Sequence, residues 1–241
     1  VLDEAADLGI NAVWTPCYDR WIKVWNEYRE RDGKLKVWIA QPDRQPMEDE
    51  IMKAVRNGSQ AVCIQGCNID QEAGKGRWDV VRGWLELIKS HGRTAGMATH
   101  HAHTHLEAEE RDMPTDFYHQ TMYRPDNYVK QGLEESLAVI EQLDKPVVGY
   151  KVLGAGRLRP QETLPYVFGR LRRDRAGLLL STVDTREKFY DSTVAWRDRA
   201  ISGQHHSGEL VRDPRERLSD ERHLLGLNEP VSRHLLLGDV R

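Results

Sequence analysis

Polar stretches with helical spacing end repeatedly at a glycine in this chain, and a short apolar or β-branched run follows at once. The junction falls at Gly9 before Ile10–Thr15, at Gly33 before Leu35–Ala40, at Gly58 before Ala61–Gly66 and at Gly92 before Thr94–Thr99. Glycine fits the left-handed position just past a helix, so each junction reads as a helix-to-strand loop. Between the runs, apolar residues recur with the period of a helix. Val129, Leu133, Leu137, Ile140 and Leu143 form one stripe within Asp126–Leu143, and Val81, Leu85 and Ile88 form another in the segment from Trp78. Faces of this kind cover a sheet.

Further strands are expected at Asp116–Thr121, Val147–Leu153 and Gly177–Val183, which makes seven strands alternating with helices. That alternation implies right-handed βαβ units and a parallel sheet. Val1–Leu8 reads as the tail of a helix, so an eighth strand is expected upstream of Val1. The fold class that follows is α/β, a (β/α)8 TIM barrel whose first strand lies outside these residues. An open doubly wound sheet fits the same alternation. The barrel is preferred because the units run in one direction with no break in composition. Residues 1–199 form the expected barrel domain and residues 200–241 an irregular polar tail, in which Leu235–Leu237 can dock over the open seam.

Size and charge narrow the partners. A chain of 241 residues with a net charge of -3 suits one barrel and carries no global field for nucleic acid or an anionic membrane. A small-molecule substrate is expected, and a homo-oligomer is compatible with it. Cys17, Cys63 and Cys67 are too few for a disulfide framework, and the last two lack the spacing of a redox or zinc pair. They read as reduced thiols. No apolar run approaches the roughly 20 residues of a membrane span, and the opening residues do not form a signal peptide. The expected compartment is the cytoplasm, although a chain beginning at Val is also compatible with a removed leader.

The run Lys145–Arg157, with Lys151-Val152-Leu153-Gly154-Ala155-Gly156-Arg157 at its end, resembles the seventh-strand signature of an uncharacterised bacterial TIM-barrel family common in planctomycetes. Gly9-Ile10-Asn11, Trp38-Ile39-Ala40-Gln41, Ala98-Thr99-His100 and Asp116-Phe117-Tyr118 match it as well. The resemblance spans roughly Leu2 to Arg199; it implies the barrel and a first strand just upstream, and brings no established reaction. The dense histidine run and His119 depart from the family pattern.

Barrel enzymes assemble their sites at the carboxyl ends of the strands. One strand here runs into Thr99-His100-His101-Ala102-His103-Thr104-His105, the next ends in His119-Gln120, and the last ends in Val183-Asp184. His100, His101, His119 and Asp184 are therefore the candidate ligands of a divalent Zn, Mn, Fe or Ni ion that activates water or polarises a carbonyl. Their order resembles the His, His, Asp series of amidohydrolase barrels, whose His-x-His pair would have to come from the upstream strand. The plainer reading makes His103 and His105 exposed loop residues and bonds His119 inside the barrel.

Lys151 sits in an otherwise apolar strand, on the face opposite Val148, Tyr150 and Val152 by alternation. If that face is inward, an amine enters the barrel, where burial favours a nucleophilic or basic lysine. The alternatives are a lysine that holds a substrate carboxylate and a structural ion pair. Gly154, Gly156 and Arg157 follow in a turn suited to an anion; Gln41, Gln65, Asn68 and Tyr123 suit hydroxyl or carboxylate recognition at the same mouth. Trp14 and Trp38 read as packing residues.

Three functions follow as expectations. The first is metal-assisted hydrolysis or isomerisation of a small sugar-like or carboxylate-bearing metabolite, with His100 and Asp184 catalytic. The second is a metal-free lyase or aldolase using Lys151 as Schiff base or general base. The third is a noncatalytic barrel that binds ligand through Gly154–Arg157.

Overall fold

The computed structural model describes residues 2–7, 10, 12–122, 133–153, 158–159, 161–163 and 167. Over these the chain alternates strand and helix: α1 (Leu2–Asp7), β1 (Ala12–Pro16), α2 (Asp19–Glu30), β2 (Val37–Gln41), α3 (Met47–Arg56), β3 (Ala61–Ile64), α4 (Gly66–Gly74), α5 (Trp78–Ser90), β4 (Thr94–Thr99), α6 (His103–Glu110), β5 (Phe117–Thr121), α7 (Leu133–Ile140) and β6 (Val147–Tyr150). All strand pairings are parallel, in the order β1-β2-β3-β4-β5-β6. Among the described residues β1 pairs with β2 alone. The expected strand at 177–183 and the tail at 200–241 lie outside the described residues.

Period-two alternation sorts the strand side chains into two cores. Ala12, Val37, Ile39, Ala61, Cys63, Ala98, Phe117 and Val148 pack together on one face of the sheet. Trp38, Ala40, Val62, Ile64, Met97, Tyr118 and Val147 pack on the other, against helix residues that include the expected Val81, Leu85, Ile88, Leu137 and Ile140. With both faces covered, the strands are apolar almost throughout, as parallel strands between layers must be.

The first of these faces is concave. Trp14 on β1 and Tyr150 on β6 belong to the first and last strands of the described sheet, yet their ring centroids are 5.5 Å apart. In a flat sheet, five strand spacings would separate them by about 24 Å. The sheet is therefore curled into a half-barrel, with Trp14 and Tyr150 facing each other across its concave side.

Two glycine junctions take the expected left-handed backbone, Gly58 at φ 78° and Gly92 at φ 67°. The junction at Gly33 differs: Asp32 supplies the positive φ of 55°. Gly33 is needed for space instead, because a Cβ there would lie 2.2 Å from the Tyr28 ring. The segment after β4 also departs from the loop reading. It enters α6 at His103, which pairs with Glu135 at the surface, whereas His105 is fully buried against Tyr118 with centroids 4.4 Å apart.

Candidate functional site

The carboxyl ends of β4 and β6 bring two ionisable side chains together, and α4 adds a third. β4 ends at Thr99, and the next residue, His100, directs Nδ1 to Asp70 Oδ2 at 2.8 Å and Nε2 to Lys151 Nζ at 3.0 Å. Asp70 comes from α4, the helix directly after β3. Its carboxylate also accepts bonds from the Thr99 hydroxyl and the His100 backbone N–H. Burial alone would raise the Asp70 pKa. The bonds from His100 and Thr99 outweigh that effect and hold the carboxyl below its usual range.

With the carboxylate accepting from Nδ1–H, the imidazole presents its Nε2 lone pair to the lysine amine. The arrangement can pass a proton between Lys151 and His100, and Asp70 balances the imidazolium that forms. His100 is 25% exposed and Asp70 16%, so the line lies at the rim of the mouth and is open to a ligand. Gly66 packs directly on the imidazole, where a Cβ would come within 3.1 Å of His100 Cε1.

Lys151 reaches this position by a route that strand alternation did not predict. The inward residues of β6 are Val148 and Tyr150, so a continuing strand would send Lys151 outward. The strand stops at Tyr150, and Lys151 takes a left-handed backbone, φ 58°, which turns its side chain back over the mouth. The amine also lies 5.5 Å from the Tyr150 ring centroid, within cation–π range. A non-glycine residue in this conformation costs on the order of 1 kcal/mol, and such strain gathers at functional sites.

The remaining candidates are placed unevenly. Gln65 and Asn68 lie at the mouth and bond each other: the Asn68 amide donates to Gln65 Oε1 at 3.1 Å and to the Asp43 carbonyl at 3.3 Å, and accepts from Gln45 Nε2 at 3.2 Å. Gln41 ends β2, half-buried. Tyr123, Gly154, Gly156, Arg157 and Asp184 lie outside the described residues.

The metal set does not assemble among the described residues. His101 is exposed, and both ring nitrogens of His100 are engaged by Asp70 and Lys151. His119 lies inside the barrel, fully buried, with its ring against Trp14, Phe117 and Tyr150. No three His, Cys, Asp or Glu side chains among the described residues converge to hold an ion. The cysteines are free, with Cys17 and Cys63 buried and Cys67 exposed. No helix among the described residues is long and apolar enough to cross a membrane.

Asp70 was not among the sequence candidates. Its only signal was an acidic residue one turn into a helix that begins at a strand end, and its partners stand some 30 residues further along the chain.

No family model and no curated protein matches the chain. Among solved structures, it is similar to the aldolase QR15, at 16% identity and a TM-score of 0.56 over 83% of this chain and 89% of that one. It is also similar to the octameric ribulose-1,5-bisphosphate carboxylase/oxygenase of Pyrococcus horikoshii, at 15% identity and a TM-score of 0.51 over 84% of this chain and 55% of that one. The thiamine phosphate pyrophosphorylase of Pyrococcus furiosus aligns at 15% identity with a TM-score of 0.49, over 83% of this chain and 86% of that one. The first two likenesses bear on architecture alone, and together with the curled parallel sheet they show a TIM-barrel-like fold.

Proposed function

We propose that this chain is a barrel enzyme acting on a small polar metabolite, sugar-like or carboxylate-bearing, through the amine of Lys151. The observation that carries the reading is the line Asp70–His100–Lys151, with contacts of 2.8 and 3.0 Å, at the carboxyl ends of the strands. A lysine reacts as its free amine, and an adjacent base that can take its proton is what a nucleophilic or basic lysine requires. His100 Nε2 is that base, and Asp70 fixes its tautomer.

The amine adds to a substrate carbonyl to form a carbinolamine, and loss of water gives a Schiff base. His100 receives the ammonium proton first and returns it to the departing hydroxyl. The resulting iminium withdraws electrons from the adjacent carbon, so that a neighbouring C–H or C–C bond can break, as in an isomerase, lyase or aldolase. In the base-only version Lys151 takes the proton directly and no covalent bond forms.

The test is reductive trapping. Purified protein incubated with glyceraldehyde or pyruvate and cyanoborohydride is expected to gain one adduct, located by peptide mass at Lys151 and absent from Lys151→Met. An adduct at other lysines only, equal in the variant, would sink the Schiff-base version. If wild type gives none while Lys151→Met abolishes turnover of a carbonyl substrate, the base role stands alone.

A further inference from the structure

Below the Lys151 amine lies a second polar pair that the reaction above does not use. His119 on β5 has no exposed surface, and both its ring nitrogens lack a hydrogen-bond partner among the described residues. The indole Nε1 of Trp14, on β1, is buried and equally unpartnered. The two rings meet edge to face at 5.0 Å, although β1 and β5 are not neighbours in the sheet. An interior polar group without a partner costs about 1–3 kcal/mol, and so requires an explanation wherever it occurs. Here two such groups come together from opposite sides of the barrel.

Tyr150 connects this pair to the reacting amine. Its ring lies 5.5 Å from Trp14 and 6.2 Å from His119 on the barrel side, and the Lys151 amine is 5.5 Å from the same ring. The surroundings set the chemistry of what can bind. Ala12, Val37, Ile39, Ala98, Phe117 and Val148 are apolar and bring no cation, so a carboxylate or phosphate would be desolvated there without a counter-charge. An indole N–H only donates, and a neutral imidazole offers one acceptor and one donor. A hydroxyl can accept from the first and donate to the second, which matches the pair one to one.

We propose that Trp14 and His119 form a subsite for a neutral oxygen of the substrate, so that the compound whose carbonyl meets Lys151 is a hydroxyaldehyde or hydroxyketone. The inference rests on the reading of Lys151 as the reacting amine. Burial holds the His119 imidazole neutral, with its pKa pushed down to about 3, which agrees with a neutral guest.

The experiment compares trapping of glyceraldehyde with propionaldehyde, which lacks the hydroxyls, each rate divided by that of free Nα-acetyl-lysine. Wild type is expected to prefer glyceraldehyde at Lys151 by about 10-fold or more, since sites that bond a hydroxyl discriminate strongly against its absence. Trp14→Phe and His119→Phe are expected to lose the preference. The 15N signals of His119 in histidine-labelled wild type are expected to move on saturation with glyceraldehyde, a readout independent of whether either variant folds. Equal trapping of the two aldehydes by wild type, or a preference that persists in folded His119→Phe, overturns the subsite and leaves the role of Lys151 intact. If neither aldehyde is trapped, the Schiff-base reading fails by itself. The nitrogen signals then decide the subsite, which a shift upholds and unchanged signals overturn.

Discussion

Lys151 Nζ stands 3.0 Å from His100 Nε2 even though their strands, β6 and β4, are separated in the sheet by β5. The contact spans the barrel mouth, so it depends on where three strands end and on the Lys151 backbone turning back. Asp70 adds the third member from a different βα unit. The geometry of the line makes the carboxylate a positioning group: it touches His100 and Thr99, and acts on the amine only through the imidazole.

Asp70→Asn keeps the shape of the side chain and removes the charge that stabilises an imidazolium. The trapping rate at Lys151 is expected to fall by about 10²-fold or more, in the range typical of lost acid–base assistance. The 15N spectrum of His100 is expected to lose its preference for protonation at Nδ1. A variant with wild-type trapping and an unchanged His100 spectrum would remove Asp70 from the mechanism.

The left-handed backbone at position 151 predicts an unusual order among substitutions. Lys151→Gly and Lys151→Ala remove the same contacts, but only glycine relieves the positive φ. Glycine is therefore expected to be the more stable of the two by about 1 kcal/mol in urea unfolding. In an ordinary extended strand the order would reverse, and that result would show that Lys151 does not turn.

Buried His105 makes stability depend on pH. Its imidazole is held neutral by burial, with the pKa lowered from 6.5 to about 3. The unfolded chain thus binds a proton at pH values where the folded chain does not. The folded state is free of this penalty above pH 6.5 and loses stability as the pH falls towards 3, by on the order of 2 kcal/mol between pH 6.5 and 5. His119 acts with the same sign. Urea titrations across this range are expected to show the loss, and His105→Leu to show a smaller one. An equal slope in the variant would count against His105 as a source.

Gly96 on β4 leaves room for a ring from the next strand: a Cβ there would lie 2.3 Å from Phe117 Cζ. Gly96→Ala is expected to cost about 1–3 kcal/mol through overpacking. Combining it with Phe117→Leu is expected to recover part of that loss, a coupling read from a double-mutant cycle of unfolding free energies. Strict additivity would show that the two positions do not meet.

Much of the fold was legible because repetition is a property of single segments. The glycine junctions, the Val81-Leu85-Ile88 stripe and the apolar runs each declare an element without reference to the rest of the chain. The site was less legible because its contacts join distant units. His100 and Lys151 could be nominated from strand ends, but alternation over an expected strand Val147–Leu153 only set Lys151 opposite Tyr150, since it cannot register a strand that stops at Tyr150, three residues early. The metal reading grouped His100, His101 and His119 by their order in sequence. The period of β5 instead carries His119 into the aromatic interior, and the turn after β4 leaves His101 in solvent. Asp70 was invisible for the complementary reason: one acid on a polar helix resembles any other until the partner it faces is known.

One carboxylate holds the Thr99 hydroxyl, the His100 main chain and the His100 ring at the same time, and it is carried by α4, whose neighbouring residue Ile69 is fully buried in the outer core. The aim of the imidazole is thus slaved to how one short helix seats on the sheet. Ile69 is a position where a methyl group gained or lost is expected to act on the ring through the seating of α4, without altering any group at the mouth. Selection for a different reaction on this scaffold has a cheap path through such interior positions, and a library confined to the rim of the barrel would never sample it.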